Sequence, residues 1–181
     1  MKIDLSGQFD VTASPAEAYA FLTDPTCFAP LLPMFKELKQ SGADNFRIVM
    51  DVGMPQIRGR AEAEVVFVER LENERASFRS NVRHALGMAD TDMGFTLSPQ
   101  GTGTSVEWRC SSTVRGTLAS LARGILAPLA RKNVDDMIES VRQALGASDA
   151  VAPTADLPVT EQAEAAGWWA RLRGRTTGAA Q

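Results

Sequence analysis

Thr117 to Leu145 reads TLASLARGILAPLARKNVDDMIESVRQAL. Leu118, Leu121, Ala122, Ile125, Leu126 and Leu129 recur there at three- and four-residue spacing, and Val134, Met137, Ile138, Val141 and Leu145 continue the pattern. The spacing predicts one apolar stripe on a long amphipathic helix. Arg123, Arg131, Lys132, Asp135, Asp136, Glu139 and Arg142 fall mostly off it. A helix of this length spans about 40 Å at roughly 1.5 Å per residue. It cannot bury such a stripe alone, so the rest of the chain has to supply a broad apolar surface. Gly124 and Pro128 interrupt the run. Proline removes a helical hydrogen bond and crowds the turn before it, so a kink is expected there. A kinked helix over a curved sheet leaves a hollow between them.

Everything upstream reads as that surface. Ile3, Leu5, Gly7, Phe9 and Val11 alternate with polar residues, the signature of a half-buried strand. Ser14-Pro15-Ala16-Glu17 is a complete helix start: Ser14 caps, Pro15 takes the first helical position and Glu17 closes the capping box. Pro25 ends this helix at Asp24, which caps a second short helix carrying Phe28, Leu31 and Leu32. Strands are then expected at Met34–Leu38, at Phe46–Met54, and from Ile57 to Leu71. In the last of these Gly59, Ala61 and Ala63 share a face with Val65 and Phe67, so open volume is expected beside the small residues. Ala76, Phe78, Ser80 and Val82 continue the pattern, Arg83–Asp90 reads as an irregular loop with a solvated His84, and Met93, Phe95 and Leu97 resume it. Val106, Trp108, Cys110, Ser112 and Val114 line the strand before the long helix. Short turns between consecutive strands favour an antiparallel meander bent round the helix, an α+β arrangement.

Composition narrows the functions. A net charge of -3 argues against a general nucleic-acid binder. No apolar run is long enough for a transmembrane helix, and Met1-Lys2-Ile3-Asp4 enters a strand with no signal-peptide core. Cys27 and Cys110 form no metal or redox motif, so a reducing cytoplasm is expected. One histidine and one tyrosine leave few groups for acid–base chemistry. The domain is expected over residues 1–146, followed by a linker at 147–159 rich in Ala, Asp and Pro and a tail at 160–181. In the tail Ala165, Trp168, Trp169 and Leu172 form a short stripe flanked by Arg171, Arg173 and Arg175. Tryptophan suits a membrane interface and arginine attracts anionic headgroups. The same stripe also suits a groove on a partner protein.

The opening pattern carries a resemblance. Gly7-x-Phe9-x-Val11, Pro15, Ala18-Tyr19-x-Phe21-Leu22-x-Asp24-Pro25 and Leu32-Pro33 resemble the G-subunit family of carbon monoxide dehydrogenase. That family belongs to the START-like, polyketide-cyclase (SRPBCC) superfamily with the helix-grip fold. The family often has glycine after the Leu-Pro pair, where this chain has Met34. Its glycine-rich stretch between later strands is here only Gly87 and Gly94. The resemblance implies a non-catalytic accessory protein without a cofactor. It would hold a hydrophobic molecule, such as a menaquinone or ubiquinone, and help couple a molybdenum hydroxylase-type dehydrogenase to the membrane while remaining cytoplasmic. The candidate lining is Leu32, Met34, Ile48, Met50, Met54, Ile57, Ala61, Phe78, Phe95, Trp108, Leu121, Ile125 and Leu129. The candidate docking residues are Trp168, Trp169, Arg171, Leu172 and Arg173. Two other functions suit the same residues. One is an aromatase/cyclase-like enzyme, which requires a polar constellation in the hollow, such as Ser80 and Ser112 meeting an arginine. The other is a scaffold that recruits a dehydrogenase to the membrane and carries nothing.

Overall fold

The alternation at the N-terminus forms β1 (Lys2–Val11), whose odd-numbered residues are the better buried. The structure is a computed structural model and describes residues 1–53, 57–121 and 127–146. The capping box is present. The Ser14 N–H donates to Glu17 Oε2 at 2.9 Å, and the Glu17 N–H donates to Ser14 Oγ at 3.4 Å, opening α1 (Pro15–Thr23). Asp24 Oδ1 then accepts the Thr26 N–H at 2.8 Å and starts α2 (Pro25–Phe28), which runs into a 3-10 turn at Ala29–Leu31. Six strands come next: β2 (Phe35–Gln40), β3 (Asn45–Gly53), β4 (Arg58–Leu71), β5 (Arg75–His84), β6 (Gly87–Gln100) and β7 (Gly103–Gly116). They make one sheet in the order β1-β7-β6-β5-β4-β3-β2, with every neighbouring pair antiparallel. The expected meander is therefore present, with β1 returning beside β7.

Two expectations need correction. The first concerns Met34, which is not in a strand: it precedes β2 with φ 62, in the left-handed region. The second concerns residues 83–90, which do not form an irregular loop. β5 runs to His84, a two-residue turn intervenes, and β6 starts at Gly87. The polar run there misled because a ladder has two faces. Asp90 and Asp92 point outward to Asn81 (2.6 Å) and Arg79 (2.9 Å), while Ala89 and Thr91 point inward.

The concave face is closed at one end by an aromatic chain. Phe28 meets Phe46 (ring centroids 5.8 Å) and Phe78 (6.0 Å), Phe67 meets Phe78 (4.6 Å), and Phe78 meets Phe95 (6.2 Å). After β7 come α3 (Thr117–Leu121) and α4 (Ala127–Leu145). Ile138 and Val141 of α4 are buried in the same core cluster, as the stripe requires. The expected kink at Gly124 lies outside the described residues, and Pro128 stands in the first described turn of α4. The end of α4 is tied to the other end of the chain: the N–H groups of Thr12 and Ala13 donate to Gly146 O and Leu145 O, both at 3.0 Å. Gly146 has φ +85, and a Cβ there would lie 2.0 Å from Thr12 Oγ1, so only glycine fits this closure.

Candidate functional site: the concave face of the sheet

Strand register decides which side chains share the concave face. From β4 to β1 the ladder aligns Phe67, Phe78, Met93, Cys110 and Leu5 in one row. The next row holds Val65, Ser80, Thr91, Ser112 and Ile3. The two sides of these rows differ. Phe67 and Phe78 are buried, whereas Met93, directly opposite Phe78, is 37% exposed. Cys110, Ser112, Thr91, Ser80, Val82 and Trp108 are all half-buried. This strip lies along β5, β6 and β7. α1 packs on one end of β6 and β7, and α3 packs on the other. The result is a half-buried, mainly apolar strip with a few hydroxyls, of which Thr91 Oγ1 and Ser112 Oγ bond each other at 2.9 Å.

Its electrostatics are quiet. Burial pushes the Cys110 thiol up to about 11, with the carboxylates of Asp4 and Asp92 adding to the shift, so the sulfur stays protonated. Arg79, Arg83, Arg109 and Arg115 alternate onto the convex face, where they pair with Asp92, Glu64, Glu107 and Asp90. Among the described contacts Ser112 bonds Thr91 and no arginine. The charged row on β4 is convex as well, with Arg47 bridging Glu64 at 3.1 Å and Glu62 at 3.7 Å. Among the described residues no three His, Cys, Asp or Glu side chains converge as a metal site, and no helix is long and apolar enough to cross a membrane.

The structure brings six of the candidate lining residues onto this face. Met50 stands opposite Ala61, Phe95 opposite Trp108, and Ile48 and Phe78 belong to the core cluster. Leu32 packs against that cluster, Ile57 is buried, and Leu129 is half-buried on α4. Met34 sits in the turn before β2. Met54, Ile125 and the side chain of Leu121 lie outside the described residues, as do Trp168, Trp169, Arg171, Leu172 and Arg173.

Two polar groups stand out on this face, one on the expected lining residue Trp108 and one on His84, which was expected at the solvated surface. Trp108 Nε1 is buried and meets no acceptor among the described residues. Its indole lies over Gly7, the opposite residue on β1, where a Cβ would come within 2.9 Å of the ring. His84 is not the solvated surface residue expected from its polar surroundings. It ends β5 on the face of Phe78 and Val82, and its Nε2 is also buried without an acceptor among the described residues. Counting alternate residues on from Ala76 and Phe78 would have found it, had the strand been carried through residue 84.

A seven-stranded antiparallel sheet gripping a C-terminal helix, with two short helices after the first strand, defines a START-like helix-grip protein. A conserved protein from Geobacillus kaustophilus has the same fold at 17% identity, with a TM-score of 0.73 over 79% of this chain and 95% of that one. A START superfamily protein from Mycobacterium smegmatis is similar at 12% identity and a TM-score of 0.56, covering 78% of this chain and 96% of that one. The di-domain ARO/CYC StfQ of the steffimycin biosynthetic pathway is similar at 12% identity and a TM-score of 0.55, over 80% of this chain and 51% of that one. No curated protein matches the sequence. The family model of the carbon monoxide dehydrogenase G subunit (CoxG) matches residues 7–146, and the chain belongs to that family.

Proposed function

We propose that this chain is a non-catalytic accessory protein that holds a hydrophobic molecule, such as a quinone, on the concave face of its sheet. The observation that carries the reading is the contrast within one cross-strand pair: Phe78 is locked among phenyl rings while Met93 beside it stays open on the same face. A strip of half-buried methionine, valine, tryptophan and thiol groups binds through buried area, with few polar anchors. An isoprenoid tail covering a few hundred Å2 would gain several kcal/mol at about 25 cal/mol per Å2, before association costs. The protonated Cys110 and the convex placement of Arg79 and Arg109 leave the strip without a thiolate or an arginine from β5 and β7, which favours carriage over cyclase chemistry.

Family membership supports service to a dehydrogenase of the carbon monoxide dehydrogenase type, a molybdenum hydroxylase. The sequence of the tail supports a membrane contact through Trp168 and Trp169 between arginines. Native mass spectrometry of freshly purified chain, followed by organic extraction, tests the carrier role. A co-purifying hydrophobic molecule is expected, and an unliganded mass across preparations and added quinones refutes it. Liposome flotation of the chain with and without residues 160–181 tests the membrane role separately; equal flotation of both forms refutes it.

A further inference from the structure

His84 is the chain's one histidine, and two backbone contacts fix its ring and the turn beside it. Nδ1 accepts the Leu86 N–H at 3.1 Å, so Nδ1 is unprotonated and Nε2 carries the hydrogen. The Leu86 carbonyl in turn accepts the Leu118 N–H at 3.0 Å, so the turn is held from α3 as well as from the strand. Nε2–H is therefore a donor of set direction, buried, with no acceptor among the described residues. A buried donor left unpaired is costly, so a fold retains one where something else completes it. Glycines stand beside it. A Cβ on Gly59 would stand 3.5 Å from Nε2, and Gly87 is the cross-strand neighbour. Both glycines have φ in the left-handed range, +125 and +147, and at Gly87 a Cβ would also meet the Arg115 carbonyl oxygen at 2.1 Å, so neither position readily takes a side chain.

We propose that His84 is the polar anchor of the ligand, on the carrier reading above: Nε2–H donates to a carbonyl-type oxygen at the head of the bound hydrophobic molecule. The apolar remainder would lie along Val82 and Met93 toward Trp108. From the His84–Gly87 pair to the Phe95–Trp108 pair is eight positions on β6, about 26 Å at roughly 3.3 Å per residue, which suits a chain-like guest. A single neutral donor selects an acceptor oxygen and offers nothing to an ammonium head. Trp108 Nε1, whose ring is pressed on Gly7, is the rival anchor, and a Trp108→Phe variant separates the two.

The test uses the full chain labelled with 15N-histidine and two probes, decanophenone and decylbenzene. These differ only by a carbonyl in place of one methylene. Decanophenone is expected to bind about fivefold more tightly, the contribution of one hydrogen bond. Its binding should shift the single imidazole Nε2–H resonance and slow its exchange with water. His84→Phe should abolish the preference and leave decylbenzene binding within about twofold, since buried area governs that probe. His84→Gln, whose amide still donates, should restore part of it, and Trp108→Phe should leave it unchanged. Equal binding of both probes with an unmoved imidazole resonance overturns the anchor and leaves the carrier reading intact, as does a preference lost in Trp108→Phe. Binding of neither probe overturns both. Should His84→Phe fail to fold, the wild-type resonance decides.

Discussion

Phe78 and Met93 face each other across β5 and β6 on one face of one sheet, and the consequences of truncating them should differ sharply. Phe78 is 8% exposed and touches the rings of Phe28, Phe67 and Phe95. Phe78→Ala removes the centre of that chain, and neighbours packed on three sides cannot collapse into the space. A loss of about 4 kcal/mol is expected, within the range of roughly 3–5 for buried phenylalanine. For a domain of this size that lowers Tm by about 10 °C, at roughly 2–4 °C per kcal/mol. Met93 is 37% exposed and lacks such an enclosure. Met93→Ala should lose less than about 1 kcal/mol, because the transfer contribution is partial and no closed cavity is left. Urea unfolding followed by far-UV circular dichroism measures both, with equal m-values as the control for an unchanged unfolded state. Two losses within about 1 kcal/mol of each other would refute the argument, since the strip along β6 would then be packed as tightly as the aromatic end and would have no room for a guest.

Three further outcomes are expected. Met34→Gly should stabilise the domain by about 0.5 kcal/mol, the relief of a left-handed φ of 62 less the entropy of a new glycine. A loss above about 1 kcal/mol in thermal melts would show that the methionine side chain packs more strongly than its backbone is strained. Ser14→Ala should lose about 1 kcal/mol at neutral pH with the cap hydroxyl. The Ser14 hydroxyl, then its backbone N–H, holds the Glu17 carboxyl below its usual value, so that contribution is present above the unfolded carboxylate range and disappears as pH falls through the folded one. The gap between wild type and variant should therefore narrow below about pH 4.5, and a constant gap would contradict it. At pH 8, alkylation of Cys110 mapped by mass spectrometry should be on the order of a hundredfold slower than that of a model peptide thiol, reflecting the thiol's rise to about 11. Comparable rates would mean that the sulfur is exposed.

Family, fold and most of the core were legible in the residues alone. A capping box, an Asp-Pro helix junction and the periods of two and near 3.6 are local properties, and each residue carries its share of the signal. So β1, both short helices, the meander and the buried stripe residues Ile138 and Val141 emerged where expected. The turn at residues 85–86 did not, because alternation of Ala89, Asp90, Thr91 and Asp92 between faces looks like a polar loop until a neighbouring strand supplies Asn81 and Arg79. Met34 was likewise read as strand, since a side chain says little about its own φ. Which end of the concave face is filled, and which keeps Met93 open, depends on residues far apart in sequence arriving in one row. The tertiary structure alone decided that, and with it the place of His84: one ring nitrogen is spent on a turn and the other is buried beside Gly59, without an acceptor among the described residues. Local pattern determines which face a residue takes, whereas packing between distant segments determines what, if anything, covers that face.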